Sequence, residues 1–128
     1  MQIVKTKQTE YSKCAKSQKE ISKLIIKNNR TIYIIPLEDI YFIEKQGKKC
    51  LIHLKDKTYA TSSTIGELLN NLDSNFYLSH RSNIINLKRL SHITSSNETY
   101  LAYFEDISKH AHISRLKIKG IEKAIQQI

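Results

Sequence analysis

The stretch RTIYIIPLEDIYFIEKQGKKCLIHL, Arg30 to Leu54, sets short apolar runs against breaks at Pro36 and at Gln46-Gly47-Lys48-Lys49. The runs are rich in Ile, Tyr and Phe and too short for packed helices, so each reads as a β-strand. Pro36, the only proline, cannot donate to a ladder and is expected at a strand end or edge. The same texture continues outward: ISKLIIK (Ile21–Lys27) precedes the stretch across an Asn-Asn turn, and TYATS (Thr58–Ser62) follows it across Lys55-Asp56-Lys57.

Thr64–Leu72 differs. Thr64 and Glu67 have capping-box spacing, and Ile65, Leu68, Leu69 and Leu72 share one helical face, which predicts a short packed helix. Strand texture resumes at Phe76–Leu78, Ile84–Leu87, Leu90–Ile93, Tyr100–Phe104 and His110–Ile113. The chain closes on a second predicted helix from about Arg115, capped by Ser114, with Ile118, Ile121, Ile125 and Ile128 on one stripe. Gly120 inside it should cost about 1 kcal/mol relative to alanine, so this helix depends on packing against the body. About nine short strands and two small helices emerge, without βαβ rhythm or fixed repeat, and the expected fold is mostly β.

The chain has 128 residues and fits one domain, long enough to bury a core without staples. Its formal charge of +9 points to a polyanionic partner. Residues 1–20 carry only +3 of that charge and have no convincing period, so they are expected to be a linker or frayed helix; residues 21–128 carry +6 and are themselves basic. Cys14 and Cys50 have no CxxC spacing and read as reduced, which argues against a disulfide framework or structural zinc site. No run of eighteen apolar residues exists and the N-terminus is polar, so the expectation is a soluble cytoplasmic protein with no membrane contact.

Catalysis finds little purchase. His53, His80, His92, His110 and His112 could supply acid/base chemistry near neutral pH, but His53 sits inside a strand-like run, and no third ligand accompanies His110 and His112 in sequence. GxxxxGK[ST], GxGxxG, GxSxG and HExxH are all absent, and nothing resembles a phosphate-accepting acidic cluster. No enzyme activity, cofactor or metal is expected.

Cations recur instead at predicted loops. Lys45, Lys48 and Lys49 flank the Gly47 turn; Arg81 follows His80 ahead of a strand; Lys88 and Arg89 follow that strand; Arg115 and Lys117 open the final helix. Lysine neutralises phosphate at many angles, while the planar fork of arginine suits bidentate contact to guanine or phosphate.

From about Ile21 onward the chain resembles the LytTR family, the LytR/AlgR-type DNA-binding domains of bacterial response regulators. IPLEDIYFIE (Ile35–Glu44) is similar to that family's IPLxDIxYIE opening, STIGEL (Ser63–Leu68) to its SLxELE helix, FYLSHRSNIINL (Phe76–Leu87) to FxRxHRSxIVNL, and Ile113-Ser114-Arg115 to PVSR. The resemblance implies an elongated arrangement of short, mainly antiparallel β-sheets with two small helices, whose loops enter successive major grooves. It implies a sequence-specific transcription regulator of two-component type that binds double-stranded DNA at paired direct repeats as a side-by-side dimer. A receiver domain or other regulatory partner would supply the signal. It further implies DNA contacts at Lys48 and Lys49, at Arg81 with His80 and Ser82 beside it, and at Arg115. Lys117, Lys88 and Arg89 are added as candidate backbone contacts. Leu78 and Ala111-His112 depart from the family pattern, which leaves base preference open. The alternatives are an RNA-binding basic β-domain and a small His-dependent nuclease.

Overall fold

The computed structural model describes residues 21–128; the segment expected as a linker, with Cys14, lies outside them. Ten strands are present among the described residues: β1 (Lys23–Asn28), β2 (Thr31–Pro36), β3 (Phe42–Gln46), β4 (Lys49–His53), β5 (Thr58–Thr61), β6 (Phe76–His80), β7 (Asn83–Asn86), β8 (Leu90–Ser96), β9 (Thr99–Phe104) and β10 (His110–Ile113). They are joined by two α-helices, α1 (Ile65–Asn70) and α2 (Ile118–Gln126). The mostly β expectation holds.

Every strand pairing is antiparallel. β1 and β2 form a hairpin of their own, β5-β4-β3-β7-β6 a five-stranded sheet, and β10-β9-β8 a three-stranded sheet. Pro36 closes β2 as expected and leads into a 3-10 turn over Leu37–Asp39. Three tight turns have a residue at positive φ, Asn29 (59°), Gly47 (61°) and Asn97 (54°). Glycine and asparagine tolerate that left-handed backbone, and it matches the twist of the flanking strands.

The five-stranded sheet is the middle layer because its residues alternate between two cores. Ile43, Ile52 and Ile84 face one way, onto Leu24, Ile26 and Ile35 of the hairpin and Leu68 of α1. Phe42 and Ile85 face the other way, onto Ala102, Phe104, Ala111, Ile113 and Ile121. The paired alanines Ala102 and Ala111 allow close approach, and Phe42 stacks on Phe104 with centroids 5.2 Å apart. Truncating such a buried phenylalanine costs about 3–5 kcal/mol.

Both helices follow their local chemistry. The Thr64 hydroxyl accepts from the Glu67 amide at 3.1 Å, and the Glu67 carboxylate accepts from the Thr64 amide at 2.8 Å, so the predicted capping box is formed. The C-terminal helix begins later than predicted. Ser114 is fastened to the sheet by its amide, which donates to the Ser79 carbonyl at 2.8 Å, and the Lys117 amide closes a turn on the Ser114 carbonyl at 2.9 Å ahead of the helix. Arg115–Lys117 form that turn, and the Ser114 hydroxyl accepts from the Leu116 amide rather than capping α2. The stripe also ends early: Ile121 is buried, whereas Ile128 lies beyond α2 and is 54% exposed. Gly120 has a packing reason, since a Cβ there would overlap the Tyr77 hydroxyl of β6.

Candidate nucleic-acid interface

Three turns meet along one edge of the molecule. The β3–β4 turn at Gly47-Lys48 and the β6–β7 turn at Arg81-Ser82 lie side by side because β3 pairs antiparallel with β7, Glu44 opposite Asn83. The Lys45 amide donates to the Ser82 carbonyl at 2.8 Å and ties the two turns together. The third turn, Arg115–Lys117, is held beside them by Ser114. Lys45, Lys48, Lys49, Arg81, Arg115 and Lys117 are all exposed there. Lys48 and Lys49 also border a concavity of about 200 Å³ that reaches Ser63 and Thr64 ahead of α1.

The juxtaposition depends on a β-bulge. The β6–β7 register shifts between Leu78 and His80, which turns Ser79 out of the ladder. Its carbonyl takes the Ser114 amide, and its hydroxyl donates to the His112 carbonyl at 2.8 Å. From β7, the Asn83 side-chain oxygen accepts from the His112 amide at 3.3 Å. Ser79 and Asn83 are both buried, so two small polar side chains fix the third turn against the second. Sequence reading missed both as positioning residues; the available signal was polar side chains adjoining an apolar strand, where each needs a partner.

His80 shapes the Arg81 turn, which uses no residue at positive φ. Its Nδ1 accepts from the Ser82 amide at 3.2 Å and lies 2.9 Å from the Ser82 hydroxyl. An accepting Nδ1 is unprotonated, which fixes the neutral ring with its proton on Nε2. Burial, the neighbouring His112 and the Arg81 charge all push the His80 pKa down, in that order of size.

The structure separates Lys88 and Arg89 from this group. They occupy a 3-10 turn at the opposite end of β7. The Arg89 guanidinium donates twice to the Glu38 carbonyl, at 3.0 Å through Nε and 2.7 Å through Nη2, and sits 5.1 Å from the Tyr41 ring centre. Asn86 is buried between them; it donates to the Ile40 carbonyl at 2.8 Å and accepts from the Lys88 amide at 3.0 Å.

The histidines fall into two settings. His53 is enclosed: it stacks on Phe42, and its Nε2 lies 2.6 Å from the Glu44 carboxylate, while Lys109 Nζ donates to its Nδ1 at 3.3 Å. Burial outweighs the Glu44 contact and pushes its pKa down. His92, Tyr103, His110, His112 and His80 instead form a row of neighbouring rings, with His112 6.1 Å from His80. Among the described residues, no three His, Cys, Asp or Glu side chains gather closely enough to hold a metal ion. Cys50 is a free, buried thiol whose pKa is pushed up by burial.

This edge of cationic turns on a layered antiparallel scaffold belongs to a family of DNA-binding domains. The model of the LytTr DNA-binding domain matches residues 30–126, and the chain is a member of that family. It is 27% identical over 114 residues to the transcriptional regulatory protein YpdB of Escherichia coli K12, covering 88% of this chain and 47% of that protein. It is 26% identical over 98 residues to the transcriptional regulatory protein NatR of Bacillus subtilis 168, covering 75% of this chain and 42% of that one. The chain thus spans less than half the length of these curated relatives. A solved LytTr DNA-binding domain from Bacillus cereus shares the fold, with a TM-score of 0.69 at 19% identity, over 81% of this chain and 96% of the other. No helix among the described residues is long and apolar enough to cross a membrane.

Proposed function

We propose that this chain is the DNA-binding part of a bacterial transcription regulator. In this reading Arg81 and Arg115 supply register or base readout in the major groove, and Lys48, Lys49 and Lys117 contact backbone phosphate. The observation that carries it is the convergence of three exposed cationic turns on one edge, tied to one another by hydrogen bonds rather than left as loose loops. Phosphate contacts give affinity without sequence information, while an arginine fork on a base edge gives discrimination, so both kinds of cation are needed. His80 and Ser82 serve by setting the Arg81 turn. Arg89 takes a structural role, because two of its five N–H donors go to the Glu38 carbonyl and its guanidinium lies over the Tyr41 ring, and Lys88 at most touches flanking phosphate.

The reading extends to a cytoplasmic regulator in which residues 21–128 form the binding domain and residues 1–20 lead into it. Its targets are paired direct repeats bound by two copies side by side, under control of a receiver domain or other regulatory partner. Selection of binding sites from a random duplex pool, followed by gel shifts, tests this. A recovered repeated motif bound well above random duplex is expected; uniform affinity for all duplexes would remove the sequence-specific reading. A single bound copy per motif would remove the dimer.

A further inference from the structure

Leu116 is 93% exposed, whereas the other exposed large hydrophobic residues among the described ones reach 61% at most. It stands in the Arg115–Lys117 turn, a cation on either side. The turn is fixed: the Leu116 amide donates to the Ser114 hydroxyl at 3.2 Å, and the Lys117 amide to the Ser114 carbonyl at 2.9 Å. Apolar neighbours in the chain were given places inside, since Ile113 and Ile121 are both 0% exposed. Leu116 alone among these is presented outward, on the cationic edge.

We propose that Leu116 is a base-reading residue that contacts the 5-methyl group of a thymine in the groove entered by Arg115. The inference rests on the DNA-binding reading and deepens it. Of the four bases only thymine offers a methyl in the major groove, and apolar side chains are its natural partners. Arg115 and Lys117 neutralise phosphate or hold a base edge on either side, so the leucine is brought up to the floor of the groove without a charge of its own. Burying its side chain there removes from water a surface that the folded protein leaves almost wholly exposed. The charged neighbours favour approach to DNA, and the apolar tip selects within it.

The test uses the whole chain and a duplex recovered by selection. Each thymine is replaced singly by deoxyuridine, which removes only the methyl group, and Kd is measured for wild type and for Leu116→Ala. At one thymine per half-site, wild type is expected to lose about fourfold on methyl removal, the worth of one buried methyl. Leu116→Ala should bind the thymine duplex more weakly and fail to distinguish it from the uracil duplex. Thermal melting of both proteins checks that the substitution, on an exposed turn, leaves the fold intact. The proposal is overturned if wild type ignores every methyl, if both proteins lose equally, or if Leu116→Ala weakens selected and random duplex alike. A wild type that prefers no duplex at all would overturn the DNA reading itself, which is a different result from selective binding that is blind to methyl groups.

Discussion

The two ends of β7 carry the same residue types to different effect. At one end, Arg81 is exposed in a turn beside Lys45, Lys48, Lys49, Arg115 and Lys117. At the other, Arg89 is held by the Glu38 carbonyl and lies over Tyr41, while Lys55, Lys57, Lys88 and Lys109 are interleaved with Glu38, Asp39, Asp56 and Asp106. Each end also has a buried asparagine: Asn83 holds the His112 backbone and through it the Arg115 turn, whereas Asn86 joins Ile40 to Lys88. Two of the Arg89 N–H donors are thus committed to a backbone carbonyl, whereas Arg81 stands exposed in its turn. Positive charge is a feature of both ends; at the Arg89 end it is mixed with carboxylates.

The largest expected effect breaks this contrast directly. Arg81→Ala and Arg115→Ala should each cost about 1–3 kcal/mol in binding a selected duplex, while Arg89→Ala should leave that affinity within about twofold. Arg89→Ala should lower the melting temperature instead, since it releases the Glu38 carbonyl and the Tyr41 ring. Gel shifts and thermal melts on the three variants decide it; equal losses of DNA affinity at all three positions would show that the two ends are not functionally distinct.

The asparagine pair sharpens the same comparison. Removing a partner from a buried polar group costs about 1–3 kcal/mol, so Asn83→Ala and Asn86→Ala should destabilise the fold to a similar degree. Only Asn83→Ala should also weaken DNA binding under conditions where both variants remain folded, because only Asn83 reaches the strand that presents Arg115. Parallel denaturant titrations and binding curves test this. Loss of binding by Asn86→Ala in the folded state would contradict it.

Most of the scaffold was legible because its signals were local. Short β-branched and aromatic runs, a capping box at Thr64 and turn residues at Asn29 and Gly47 each act within a few positions. The cationic turns were legible as separate features, but their meeting was not, since it rests on a bulge at Ser79 and on contacts between Ser79 and Ser114 and between Asn83 and His112. No local rule forecasts which carbonyl leaves a ladder. The last helix starts past Ser114, where local capping preference predicted it, because the residues after Ser114 close a separate turn first. Arg89 could not be told from Arg81 by sequence because the difference is a carbonyl fifty-one positions away.

Acid should act on folding through both ends of the layered core. His53 and His80 have pKa values held below the ordinary histidine range, with burial the largest cause for each. The unfolded chain therefore takes up protons more readily than the native protein once the pH falls below about 6.5, and stability declines as pH drops through that point. Melting temperatures of the free protein at pH 7.5 and 5.5 should show the decrease. His53→Gln should reduce the difference, and His80→Asn, which keeps an acceptor for the Ser82 amide, should reduce it while preserving DNA binding at pH 7.5. An unchanged pH difference in the double variant would mean that other groups govern the acid response.

The smallest effect concerns a single lysine and separates affinity from specificity. Lys48 is exposed in the β3–β4 turn, on a flexible stem with no fork to fit a base edge. If it neutralises one phosphate, its loss removes one released counterion, and the slope of log K against log salt should become shallower by about 0.9. Lys48→Ala should accordingly bind selected and random duplex more weakly by the same factor, leaving their ratio unchanged. Arg81→Ala should do the reverse in proportion, shrinking the ratio more than the salt slope. Titrations at several salt concentrations on both duplexes distinguish the two, and a Lys48→Ala variant that lost selectivity would place this lysine among the base-reading groups rather than on the backbone.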